Sequence, residues 1–214
     1  MHINRYKRLS LVTFCCAMLF SNMMVSQSCD SIISLYDLEI KSEDSCGESL
    51  FLIGQKLSTS YVDSNIRKGV AVYQICDSLT GDLCCKFGLF KAYQSGEGVK
   101  DIDLCKAFNY LRQIANANNL NSIRDSGIVA FGRYFYSNMF RYGFCVERDI
   151  FQSYVWLILS NELLDYLEKS VKESLKFDFQ ILEDVLREEE VENAIRLASY
   201  IHEGPLRKYR NRLN

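Results

Sequence analysis

Between Cys85 and Leu120 the chain carries two amphipathic stretches separated by a glycine-hinged turn, a pattern that leaves few folds open. In the first stretch Ala92 and Tyr93 follow Leu89 and Cys85 at the spacing of one helix face. In the second, Leu104, Ala107, Phe108, Leu111, Ile114 and Ala115 obey the i, i+3, i+4 rule and form an apolar stripe. Gly96 and Gly98, followed by Val99, supply the backbone freedom for a reversal, and Asp101 or Asp103 is placed to cap the incoming helix. A helical hairpin of this kind cannot bury its own stripe. It needs a neighbour built the same way.

That neighbour lies downstream. Gly143-Phe144-Cys145-Val146 takes the place of Gly96-Glu97-Gly98-Val99, Phe140 that of Tyr93, and Asp149 that of the cap. Trp156 stands where Tyr110 follows Lys106-Ala107. At these residues the chain resembles the Sel1-like repeat family, whose hairpins read Ala-x3-Leu-Gly-x2-Tyr-x2-Gly-x-Gly-Val-x2-Asp-x2-Lys-Ala-x2-Trp-x3-Ala-Ala. It departs from that pattern in four places: Phe90 follows Leu89 instead of glycine, one residue is inserted between Val99 and Lys106, and Cys145 and Ser153 replace a glycine and an alanine. The resemblance implies an all-α protein, a right-handed α-solenoid of helix-turn-helix repeats with a C-terminal helical cap. A single proline and scarce strand-like alternation also favour an all-helical chain.

About three repeats are expected over residues 46–163, a degenerate one at 46–82 and better ones at 83–120 and 127–163. In the degenerate copy Leu50, Ile53, Gly54 and Leu57 mark a first helix, and Ile66, Val70, Val72, Tyr73 and Ile75 a second. Lys68-Gly69 stands where Lys-Ala would be. Residues 116–125 read as a polar loop in which Asn118-Asn119 can take the left-handed C-cap angle. From Ile150 to Leu159 the chain is apolar nearly all round, which marks the most buried helix of the protein. Residues 164–214 hold further helices, one starting at Glu188-Glu189-Glu190, and a basic tail with Arg207, Lys208, Arg210 and Arg212. The tail reads as a solvated end, with an acidic partner or anionic lipid as the alternative.

The first 28 residues have the form of an export signal: Arg5, Lys7 and Arg8, an apolar run from Leu9 to Phe20, and a small-residue exit near Ser26 to Ser28. Residues 29–45 are a short lead that covers the open end of the array. The chain is then periplasmic or secreted, the alternatives being a lipid anchor at Cys29 or an uncleaved signal anchor. Removing the signal takes the formal charge from −2 to −5, and so acidic a body disfavours nucleic acid as partner. Seven cysteines remain, an odd number in a compartment that permits disulfides. The resemblance implies a staple between successive hairpins, with Cys76 paired to Cys84 or Cys85; the alternative is that the adjacent cysteines are buried small apolar residues.

No catalytic, cofactor or metal residues are expected. The mature chain has one histidine, His202 at a helix end, and the cysteines lack Cys-x-x-Cys spacing. Gly96-Glu97-Gly98 lacks the third glycine and the Lys-Ser/Thr of a phosphate loop. Acidic side chains such as Asp184 and Glu189 read as solvated surface. The aromatic cluster from Arg133 to Tyr142 exceeds what one helix face can bury, which nominates Arg133, Tyr134, Arg141 and Tyr142 as a contact surface. The expected function is an exported scaffold that binds protein partners on the concave face of its repeats, with no stable membrane insertion once processed and an oligomeric state left open. The other reading is a cell-wall ligand binder or an enzyme acting on β-lactams or peptidoglycan, as cysteine-rich members of the family suggest.

Overall fold

The computed structural model describes residues 46–118, 120, 122–202 and 206. The export signal, the lead 29–45 with Cys29, Asn119, Pro205 and the basic tail lie outside them. Among the described residues every regular element is helical. The chain divides between Asp82 and Leu83 into two compact units.

In the first unit α1 (Cys46–Ser58) packs against α2 (Asp63–Thr80). Leu50, Ile53, Val70, Val72 and Tyr73 fill the contact, whereas Ile75 stands out to solvent. The helices approach to backbone distance. A Cβ on Gly69 would lie 2.7 Å from the Ser58 nitrogen and 2.8 Å from the Gly54 oxygen, so even the alanine of the repeat pattern has no room.

The second unit contains two helical hairpins and a C-terminal pair. The first hairpin is α3 (Leu83–Ser95) with α4 (Leu104–Ala115); the second is α5 (Ile123–Tyr142) with α6 (Ile150–Asn161). A short 3-10 turn (Leu164–Tyr166) leads to α7 (Lys169–Glu183) and α8 (Glu188–Ile201). The two hairpins close in the same way. Asp103 donates its N–H to the Tyr93 carbonyl at 2.9 Å and accepts from the Lys106 N–H with its carboxylate at 2.9 Å. Asp149 does the same with Phe140 and Gln152, again at 2.9 Å. These caps satisfy first-turn N–H groups that an α-helix leaves without partners. Tyr110 and Trp156 both follow their cap by seven residues, so they occupy the same place on α4 and α6. The residue inserted after Val99 is absorbed in the loop, between identical clamps.

Stripe residues Ala107, Phe108, Leu111, Ile114 and Ala115 of α4 are buried, but Leu104 is half exposed at its first turn. Every residue from Ser153 to Ser160 of α6 is buried, as its all-round apolar sequence demands. Two departures from the expected boundaries have local causes. Helix α4 stops at Ala115, because the Asn116 side chain donates to the Arg112 carbonyl at 2.7 Å; Asn116 and not Asn118 is its C-cap, in the ordinary bridge region. Helix α5 begins at Ile123, ahead of Gly127, because the Ser122 hydroxyl accepts from the Asp125 N–H at 3.0 Å.

The α3–α4 turn uses Gly96 and Gly98 at φ +81° and +73°. The α5–α6 turn has Gly143 at φ +74°, then Cys145 at φ +60°, where an L side chain is strained by about 1 kcal/mol. A disulfide to Cys105 on α4 holds that cysteine across 40 residues, with a Cα separation of 5.1 Å. Loop-closure entropy gives such a cross-link a stabilisation of about 4 kcal/mol. The Cys105→Ser/Cys145→Ser double variant is therefore expected to lose about 2–4 kcal/mol in urea unfolding. With Cys105→Ser in place, Cys145→Gly should exceed Cys145→Ser by about 1 kcal/mol, since glycine takes this φ without strain; equal midpoints would show that the backbone angle carries no cost.

Candidate interaction surfaces

Of the four residues nominated as a contact surface, Arg133 and Tyr134 are internal and Arg141 is half-buried. Arg133 is 3 % exposed. Its Nε donates to the Ala115 carbonyl at 3.1 Å and one terminal nitrogen to the Leu159 carbonyl at 3.3 Å. Both acceptors lie in the last turns of helices, α4 and α6, where carbonyls lack intrahelical partners and the helix dipole is negative. Burial lowers the Arg133 pKa to about 10, which leaves it charged at neutral pH. Tyr134 is also buried. Its hydroxyl donates to the Asp178 carboxylate of α7 at 3.0 Å, and burial, the largest cause, raises its pKa. Arg141 forms an ion pair with the other Asp178 oxygen. The surplus of aromatic and cationic residues on α5 is thus consumed by contacts on several sides, which one-helix periodicity cannot anticipate.

Tyr142 alone of the four is open, at 58 %, with Phe144 beside it at 50 % and a ring separation of 5.9 Å. Ile102, just before α4, and Leu104, at its start, are exposed, and Cys105–Cys145 joins the first turn of α4 to the α5–α6 loop. Asp178 was not marked by the sequence. It is an acidic residue at a position of α7 where Leu175 and Leu182 also point inward, and that break in an apolar stripe was the available signal.

Of the aromatics at the repeat positions, Tyr93 and Trp156 are buried, and Tyr110 and Phe140 are half-buried. Tyr93 stacks on Tyr110 at 5.9 Å and Lys106 lies 4.2 Å over the Tyr93 ring; the hydrogen bond to Tyr93 is the leading cause of a raised Lys106 pKa. Tyr136 contacts Phe108 of α4, Phe140 of its own helix and Trp156 of α6, so it ties the two hairpins together. Leu89 and Ala107 are fully buried, and Val146 and Gly143 sit in the turn that Asp149 closes.

A groove of about 300 Å³ opens between the first helices of the two hairpins and the start of α7. Phe87 of α3, Arg124 and Phe131 of α5, and Tyr166, Leu167 and Val171 line it. Phe87 and Phe131 meet edge to face at 5.2 Å, Phe131 stacks on Phe135 at 4.2 Å, and Lys91 lies 5.5 Å over Phe87. The walls are therefore stiff aromatic surface, with Arg124 and Glu168 both among the lining side chains.

The cysteines divide unevenly. Cys46, Cys76 and Cys85 are disulfide-bonded in addition to Cys105 and Cys145, whereas Cys84 is buried as a thiol. Of the adjacent pair it is Cys85 that is oxidised. His202 is the exposed C-cap of α8, and Asp184 and Glu189 are exposed. No helix among the described residues is long and apolar enough to cross a membrane.

Arg133→Met, which keeps the stem but leaves the Ala115 and Leu159 carbonyls without donors, should cost about 2–4 kcal/mol in urea unfolding. Tyr142→Ala should stay within about 0.5 kcal/mol of the parent. A loss at Arg133 no larger than at Tyr142 would mean that the guanidinium does not hold the helix ends.

The sequence matches no protein-family model and no curated protein. Among solved structures the chain is similar to c5321, a protective antigen present in uropathogenic Escherichia coli strains and displaying an SLR fold. Identity is 19 % and the TM-score 0.60, over 85 % of this chain and 34 % of the other. The chain thus spans about a third of that protein's length. At this identity the likeness speaks for the fold alone, an all-α architecture of the Sel1-like repeat type.

Proposed function

We propose that this chain is an exported scaffold whose repeats hold a protein partner, the groove between Phe87, Phe131 and Val171 taking an apolar side chain of that partner. The observation that carries the reading is the groove itself. Stacked hairpins present the first helices of successive units along one surface, and recognition there needs shape and apolar contact, not a catalytic group. The aromatic walls lose little side-chain entropy when covered, as interface anchors do. Tyr166, 46 % exposed at the groove, can be removed without opening the core. A photo-crosslinking residue at Val171 should trap a partner that one at Lys56 does not, and Tyr166→Ala should abolish the adduct while leaving the melting temperature within about 2 °C. Equal trapping at both positions would end the assignment to this groove.

Export rests on the signal-like start together with oxidised cysteines, since disulfides persist outside the reducing cytosol. Intact mass of the purified protein should show a chain beginning near residue 27 to 29, without lipid, that gains two mass units per disulfide on reduction. A full-length reduced chain, or a lipid on Cys29, would redirect the assignment to a cytosolic or anchored protein.

A further inference from the structure

Of the disulfide-bonded cysteines among the described residues, Cys76 and Cys85 are fully buried and Cys46 is half-buried, whereas Cys105 and Cys145 are both exposed. An incoming thiolate therefore has a path to the Cys105–Cys145 bond, and exposed disulfides are the ones that exchange. Its two sulfurs are not equivalent. Cys105 is the second residue of α4, behind the Asp103 cap, where N–H groups without intrahelical partners and the positive end of the helix dipole favour a thiolate. Cys145 lies two residues past Gly143, the C-cap of α5, beyond the negative end of that helix. Near Cys105 in the chain, Asp101 and Asp103 act against a thiolate and Lys100 and Lys106 act for it; a hydrogen bond to Tyr93 is the leading cause of the raised Lys106 pKa, so the ammonium stays charged. These four charges cancel formally, which leaves the helix ends to decide. Cys105 is the better leaving group.

The surroundings select what delivers the attacking thiolate. Leu104 and Phe144 adjoin the bonded cysteines in the chain, and Ile102 and Tyr142 lie three residues before them. All four are exposed, with the Tyr142 and Phe144 rings 5.9 Å apart. The bond thus gathers apolar groups from two hairpins around itself, a surface that a protein can cover and a small hydrophilic thiol cannot use. We propose that Cys105–Cys145 is a thiol-exchange site, at which a partner protein whose reactive cysteine is flanked by apolar side chains attacks the Cys145 sulfur and expels Cys105. The partner's thiolate supplies the electron pair of a new S–S bond to Cys145, the Cys105–Cys145 bond breaks, and its pair remains on Cys105 as a thiolate. The number of disulfides is unchanged, so no further oxidant or reductant is consumed. The exchange frees the α5–α6 loop from the first turn of α4 and leaves the partner covalently held at Cys145.

Two thiols of different size test this on the full-length oxidised protein. Reduced glutathione, followed by alkylation and peptide mapping, should open Cys105–Cys145 about tenfold faster than the bonds of Cys76 and Cys85. It should place glutathione on Cys145 and the alkyl group on Cys105. Thioredoxin whose second active-site cysteine is replaced by serine should be trapped on Cys145 as a mixed disulfide. Tyr142→Ser/Phe144→Ser, with an unchanged urea midpoint to show that it is folded, should slow that trapping about fivefold and leave the glutathione rate as it was. The single variants Tyr142→Ser and Phe144→Ser should each slow it in part. Opening of the Cys76 or Cys85 bonds at the same rate, or glutathione found equally on Cys105, overturns the proposal. So does a double variant that slows both thiols alike, or neither.

Discussion

At the ends of α4 and α6 the carbonyl oxygens of Ala115 and Leu159 point out of their helices, and one buried guanidinium serves both. Among the described residues Arg133 pairs with no carboxylate; its guanidinium faces the negative ends of two helix dipoles. Because α4 and α6 are the corresponding helices of successive hairpins, this one side chain ties their ends together. It sits on α5, between them, and accounts for a helix buried on several sides. Val129, Ala130, Arg133, Tyr134, Tyr136 and Ser137 are all inside, so α5 has no free face of the usual width.

The residues that depart from the repeat pattern are matched by partners elsewhere. Cys145, in a turn position suited to glycine, is bound to Cys105. Ser153, in place of a small apolar residue, is fully buried, but Ser137 donates to its carbonyl at 2.7 Å and their hydroxyls meet at 3.0 Å. Phe90, in place of glycine, is buried against Phe87 and Phe135. Isolated, each substitution would leave a strained backbone, an unpaired hydroxyl or a clash. Paired, they give contacts between neighbouring helices that the repeat pattern does not provide.

The open surfaces differ in chemistry. The groove by Phe87 and Phe131 is aromatic with Arg124 and Glu168 in its lining, while that by Glu188 and Glu192 is acidic with Leu186, Val191 and Ile195 beside the carboxylates. Beside the disulfide, Tyr142 and Phe144 are exposed and line neither groove. The helices therefore present surfaces of different chemical character.

The hairpins, their turns and the Asp103 and Asp149 caps were legible in the sequence, because helix periodicity, glycine and N-cap chemistry are properties of residues a few positions apart. The same holds for the burial of α6 and for the start of α8 at Glu188. Depth was not legible. Arg133, Tyr134 and Arg141 look like surface residues on a helical wheel, and only the arrival of α4, α6 and α7 around α5 turned them inward. The Cys105–Cys145 bond was hidden for the same reason: its sulfurs are 40 residues apart in the chain, and no local rule says which turn will lie against which helix. Short-range pattern determined which segments are helices, though not where α4 stops or where α5 starts. The contacts between hairpins, which depend on side chains distant in sequence and adjacent only after packing, decided which polar groups became core and which grooves stayed open.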